Sequence, residues 1–295
     1  MRARGDAIST LFPASTALYR RHGWEVAGRH DRSVLAAEAL RAVHPERPVA
    51  IRRATRDDAP AFAACYDRVA RGANGLLDRS PGRWTYLLHA WETLQAYVAE
   101  DGGRIAGYVV YRHVTPRPHR FAGFGVQVDE VIADDRDVLA ALWALVGSSS
   151  TQIEEIVLRG TDADTLLHLL LPEKAAGTTH TQYWMLRIVD APAAVAARGF
   201  PSGLSVEVAL DVADAFVPEN AGRWCLRVTD GEGRLERGGD GAVRLDAGAL
   251  ASLYSGFVTT SALARVGRLA GGTDAARAAL DACFAGPSPW MLDSF

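Results

Sequence analysis

The chain has 295 residues, enough for two or three domains of ordinary size. It is 48% apolar and 23% charged, as a globular protein is, and its net charge of -3 gives no electrostatic reason to bind nucleic acid. No apolar run approaches the ~20 residues of a membrane-spanning helix, so no membrane partner is expected. The basic start MRARGDAISTLFPAST lacks the apolar stretch of a signal peptide. Cys65, Cys225 and Cys283 are odd in number and widely spaced, which argues against a disulfide framework and a zinc site. A cytoplasmic protein with reduced thiols and no metal is the expectation.

Taken in chain order, Ile8 to Phe12 reads as a strand, ALYRRHG as a helix closed by Gly23, and WEVAGRH as a second strand. A polar linker follows, where His44-Pro45 and Arg47-Pro48 turn the chain away from helix. VAIRRAT predicts a strand, and Thr55-Arg56-Asp57-Asp58 resembles a capping box with Asp in the place of Glu. The helix beyond it sets Phe62, Tyr66 and Val69 on one face. QAYVAE and IAGYVVYRHV flank Asp101-Gly102-Gly103-Arg104, a hairpin signal. Then come a strand at 125–132, a helix at 135–146, and strands at 155–158 and 183–189, an α/β layer pattern.

Asp190-Ala191-Pro192 opens the last segment as an N-cap with proline near the helix start. SVEVALDV, a strand at 224–228 and another near Val243 predict an antiparallel sheet. Helices at 247–254, 261–267 and 274–284 complete an α+β domain.

The stretch STALYRRHGWEVAG is similar to the last helix and strand of a GNAT acetyltransferase. WMLRIVDAPAAVAARG, RGANGLLDRSPGRW and the final FAGPSPWMLDSF narrow the resemblance to the enhanced intracellular survival (Eis) family, and extend it over essentially the whole chain. That resemblance implies three parts. Residues 1–44 would be the end of a catalytic GNAT domain with its linker, residues 45–190 a degenerate GNAT-like domain, and residues 191–295 a sterol-carrier-protein-like domain. It implies acetyl-CoA as cosubstrate and a primary amine as acceptor, on an aminoglycoside, a polyamine or a lysine side chain. A homo-oligomer, a hexamer in the family, is implied as well.

By the same resemblance Tyr19 is the general acid that protonates the departing thiolate; a phenol with a pKa of about 10 stays protonated at neutral pH. The α-carboxylate of Phe295 is the base, or the anchor of the cationic amine. A free α-carboxyl, with a pKa of about 3.5, is a weak base unless burial raises it. Trp290, Met291, Leu292 and Phe295 make an apolar tail suited to docking. Arg20 and Arg21 are candidates for the cosubstrate's phosphates, with helix-surface solvation equally open.

A GNAT enzyme holds the pyrophosphate on a glycine-rich loop between strand and helix, and nothing like it precedes Tyr19. At the equivalent place in the central segment stands Ala133-Asp134-Asp135-Arg136-Asp137, whose three carboxylates would repel a diphosphate. Met1 therefore reads as an internal start, with about one domain further upstream, and the short chain as inactive or impaired. Residues 7–30, two strands and a helix, would lack a covering layer and be poorly ordered or packed on another subunit. Asp57, Asp58, Asp129, Glu130, Asp134 and Asp135 are caps and solvated faces, or else attract a polycation. The alternative function is a non-enzymatic ligand-binding or oligomer-assembly protein.

Overall fold

The computed structural model describes residues 1–114, 124–148, 152–160, 167, 169–173 and 176–293. Among them are two compact units, one of residues 1–29 and 183–289, the other of residues 30–182 and 290–293. The chain is α/β and α+β, with the strands β1 (Ile8–Leu11), β2 (Glu25–Ala36), β3 (Ala50–Arg53), β4 (Gln95–Asp101), β5 (Arg104–Val114), β6 (Phe124–Ala133), β7 (Ile153–Arg159) and β8 (Ala176–Ile188) in its first two-thirds. Helices α1 (Thr16–Arg20), α2 (Ala59–Ala70), α3 (Pro81–Trp91) and α4 (Arg136–Gly147) lie between them.

In the second unit the strand order is β8-β2-β7-β6-β5-β4-β3. Its pairs β2–β7, β3–β4, β4–β5 and β5–β6 are antiparallel and β6–β7 is parallel. The hairpin between β4 and β5 turns at Gly102 and Gly103, both at positive φ, as its two central residues require. Alternation along β4 and β5, with a bulge at Asp129 that switches the faces of β6, divides the core. Ala99, Val109, Val126 and Val128 face Leu142 and Trp143 of α4, while Val98, Tyr108, Val110 and Ile132 face Phe62, Tyr66, Trp84 and Trp91 of α2 and α3. Local chemistry starts each helix. Thr55 and Asp58 close the capping box before α2, and Asp135 accepts the amide N–H groups of Asp137 and Val138 at the head of α4.

The other unit pairs β1 with the second half of β8, from Ile8 opposite Ile188 to Leu11 opposite Met185. It adds β9 (Ser205–Ala213), β10 (Gly222–Thr229), β11 (Glu232–Arg237), β12 (Val243–Asp246) and β13 (Leu269–Gly271), with α5 (Ala191–Ala197), α6 (Ala247–Tyr254), α7 (Thr260–Arg265) and α8 (Asp274–Phe284). The sheet order is β11-β10-β9-β12-β13. Its expected antiparallel character is corrected at one place: β12 runs parallel to β9. A hairpin neighbour occupies one edge of β9, so the returning chain adds to the other edge in the same direction.

Residues 7–30 also differ from expectation. They are ordered on this chain's own elements: β1 is paired along its whole length, Glu25 and Ala27 are buried, and the Ser252 hydroxyl donates to the Val26 carbonyl. The covering strand is the 183–189 segment that the pattern marked, paired with β1, and it belongs to β8, which begins seven residues earlier. Threonines and a histidine fill that early stretch, so it carries no apolar alternation.

β5 passes close beneath α4 at Gly107. A Cβ there would collide with the Val138 side chain and lie 2.9 Å from the Ile132 carbonyl oxygen. Gly107→Ala is expected to cost about 1–3 kcal/mol through overpacking, read as a lower urea midpoint. Gly177→Ala, with nothing within 4 Å of its added Cβ, should stay within about 0.5 kcal/mol of the parent.

Candidate functional site

Tyr19 lies in the last turn of α1, half-buried and edge-on to Trp24 at 6.1 Å between ring centroids. Its carbonyl accepts the amide N–H groups of His22 and Trp24. Gly23, at φ 82°, makes the turn, and a Cβ there would meet the buried Arg187 guanidinium. The Tyr19 hydroxyl has no hydrogen-bond partner among the described residues.

Arg20 is already engaged. Its guanidinium grips the Glu25 carboxylate through Nε, at 2.9 and 3.1 Å, and through a terminal nitrogen at 2.8 Å. Burial pushes the Glu25 pKa up, but bonds from Arg20, the Val26 amide and Arg268 hold it below the ordinary value. A charge so committed does not fit the task of holding a phosphate. Arg21 is exposed at the end of α1. The head of α4 fits no better, because Asp135 already takes its first amides. Around it, Arg47 bridges Asp101, Asp135 and Asp137, and Asp134 holds Arg68 and Arg104. At the α4 head the Asp137 and Val138 amides are therefore bonded within the chain.

The acidic residues singled out in the sequence are largely paired as well: Asp58 with Arg52, and Asp129 with Arg112. Arg52 holds the Asp58 carboxyl far below the usual range. Glu130 is the exception to the idea of caps and solvated faces, since it is buried in an ion cluster.

At the centre of that cluster is Arg79, its side chain 1% exposed. Two of its nitrogens donate to the two Glu130 oxygens at 2.8 and 2.7 Å, and its Nε donates to Asp293 at 3.0 Å. The guanidinium lies over the rings of Tyr66, at 4.0 Å, and Trp84, at 5.0 Å. Arg83 binds the other Asp293 oxygen, at 2.9 Å from Nε and 2.7 Å from a terminal nitrogen. Tyr108 donates its hydroxyl to Glu130. Burial lowers the Arg79 pKa, yet Glu130 more than reverses this and the group stays charged; burial, with Glu130 beside it, pushes the Tyr108 phenol well up and keeps it neutral.

The sequence builds this cluster locally at each end. Ser80 caps α3 by accepting the Arg83 amide, and Pro81 fits the first helical position. That places Arg79 just before the helix and Arg83 in its first turn, both aimed at one carboxylate. Tyr108 and Glu130 are near-neighbours on paired strands, with Val110 opposite Glu130. Asp293 arrives from the chain's far end. The Trp290 amide donates to the Asn74 carbonyl at 3.0 Å, and the Met291 carbonyl accepts from His30 Nδ1 at 2.8 Å. Met291 is buried and Leu292 packs on the Phe62–Trp91 core. Burial lowers the His30 pKa, which favours the neutral ring with its proton on Nδ1.

The expected docking of Trp290, Met291 and Leu292 is what the structure shows, and Ser294 and Phe295 lie outside the described residues. Asp293, Arg79, Arg83 and Tyr108 were not singled out as site residues. The signal available was RGANGLLDRSPGRW, quoted for its resemblance alone; its cap sequence Ser80-Pro81 marks a helix start between two arginines. No group of three or more metal-ligating side chains occurs among the described residues.

Residues 75–188 match the family model of the acetyltransferase (GNAT) domain, and residues 191–292 match that of the sterol carrier protein domain. A GCN5-related N-acetyltransferase from Anabaena variabilis is 30% identical, with a TM-score of 0.90 over 100% of this chain and 74% of its own. Eis1 from Mycobacterium abscessus is 27% identical, with a TM-score of 0.73 over 100% of this chain and 74% of its own. A GCN5-related N-acetyltransferase from Kribbella flavida is 37% identical, with a TM-score of 0.82 over 100% of this chain and 72% of its own. At that identity and coverage, the chain belongs to the GCN5-related N-acetyltransferase (GNAT) family.

Proposed function

We propose that this chain serves an acetyl-CoA-dependent N-acetyltransferase of Eis type, which acetylates a primary amine of an aminoglycoside, a polyamine or a lysine side chain. The docked tail carries the proposal: anchors at Trp290, Met291 and Asp293 fix the segment that leads directly to Phe295. The likeness to Eis1 along the whole chain supports the subfamily. The sterol-carrier match from residue 191 supports dividing the chain into 1–44, 45–190 and 191–295. A cytoplasmic homo-oligomer, a hexamer by resemblance, belongs to the same proposal.

In this scheme the neutral amine nitrogen attacks the acetyl carbonyl, and the carbon–sulfur bond breaks. Tyr19 gives its proton to the departing sulfur, and the amine's surplus proton passes to the Phe295 carboxylate, directly or through water. The cosubstrate's phosphate contacts are assigned to none of the described residues. A lipid-carrier role finds less support. In α6 all of Ala247, Ala249, Leu250, Ala251 and Leu253 are buried, so side chains fill the space around that helix.

Thiol release from acetyl-CoA with tobramycin or spermine tests the proposal, run on this chain and on a form extended upstream in its own gene. Amine-dependent release by either form is expected, and silence from both would sink it. In the active form, Tyr19→Phe should lower kcat by about 100-fold or more with little change in KM for the amine, as loss of a general acid does. Unchanged turnover would remove Tyr19 from the mechanism.

The terminal carboxylate is tested by appending two glycines after Phe295. About a tenfold or larger fall in kcat/KM, as loss of a catalytic or anchoring charge gives, is expected. An appended form as active as the parent would rule the carboxylate out.

A further inference from the structure

The ion cluster divides one guanidinium between two carboxylates from opposite ends of the sequence. Glu130 takes both terminal nitrogens of Arg79, so only Nε is left for Asp293. Arg79 is rigidly prepared for this by Glu130 on one side and the Tyr66 and Trp84 rings on the other. Asp293, with a side chain 1% exposed, shares Arg79 with Glu130, and Arg83 supplies a second cation to its other oxygen. The charges then balance, two arginines against two carboxylates, with the Tyr108 phenol neutral between them.

We propose that Arg79 and Arg83 form a latch that holds the C-terminal tail through Asp293, and that both act as positioning residues for the terminal carboxylate. The second half of this statement rests on the proposed acetyltransferase function; the first half does not. Phe295 is two residues past Asp293. With the latch open, the nearest polar anchor is the Met291 carbonyl, which doubles the free length of the chain end.

Arg83 is the place to test the latch. Its side chain is 29% exposed, its backbone amide keeps the Ser80 cap whatever the side chain, and Arg79 remains paired with Glu130. Arg83→Met in the full chain leaves the tail sequence unchanged, so an exopeptidase meets the same residues in parent and variant. Carboxypeptidase digestion under native conditions, followed by mass spectrometry, should stall on the parent with Asp293 retained. Arg83→Met should be trimmed past Trp290 about tenfold faster or more, the factor expected for losing a charge-assisted hydrogen bond. Circular dichroism and the melting temperature report whether the fold is kept, and Arg83→Lys should restore part of the resistance.

Equal trimming of parent and Arg83→Met, or a parent digested through Trp290 without pause, would overturn the latch. Where the parent transfers acetyl groups, Arg83→Met should lower kcat and leave KM for acetyl-CoA unchanged. Faster trimming with kcat intact overturns the positioning role. A parent without transferase activity overturns the proposed function instead, and the trimming ladder alone then decides the latch.

Discussion

A guanidinium taken almost wholly out of water is tolerable only if its charge and its donors are answered by the protein, because desolvation works against it at every step. Arg79 meets this condition with two carboxylates, and aromatic rings cover its face. The rest of the second unit is arranged around that demand. Glu130 must project from β6 toward α2 and α3, although strict alternation would leave it on the same face as Val126 and Val128. The β5–β6 register shifts at Val110 and Tyr111, beside Glu130, where an extra residue re-aims the strand. Tyr108 then satisfies a Glu130 oxygen from the neighbouring strand. Apolar replacements could make such a core just as stable, so the cluster is better explained by what it fixes than by the energy it adds.

What it fixes is the end of the chain. Ends usually fray, because few contacts repay the entropy of ordering them. This tail offers a buried Met291, a backbone bond on each of Trp290 and Met291, and a buried Asp293 side chain that meets both arginines. His30 and Gly160 show how closely the surroundings fit it. Gly160 stands at φ 60°, where a Cβ would lie 2.8 Å from His30 Nδ1 and 3.0 Å from the Met291 carbonyl oxygen. The tail is thus recognised by shape and charge together.

Legibility in the sequence followed the range of each interaction. The Thr55–Asp58 capping box, the Asp101–Arg104 hairpin and the Asp135 and Asp190 caps were readable because their partners lie within three residues. Helix α3 was missed because Ser80-Pro81-Gly82 also reads as a turn, though Ser80 and Pro81 are a cap and first-turn pair. β11 was missed because EGRLER offers only Leu235 as a large apolar residue. The apolar tail was legible as something that docks. Asp293 was not legible as the group that locks it, since its partners Arg79 and Arg83 lie more than two hundred residues away. Composition could mark Glu130 only as one acid among many, and its place in the buried Arg79 ion cluster distinguishes it.

The head of α4 shows the same logic from the opposite side. A helix N-terminus presents free amide donors and a positive dipole end, which a diphosphate can use if glycines let it approach. Here Asp135 supplies the acceptor itself, so those donors are spent within the chain. Arg47 then ties Asp135 and Asp137 to Asp101 at the β4–β5 turn, and the Glu46 amide donates to Asp137. The electrostatics at this helix head thus serve the scaffold on which the Arg79 cluster stands.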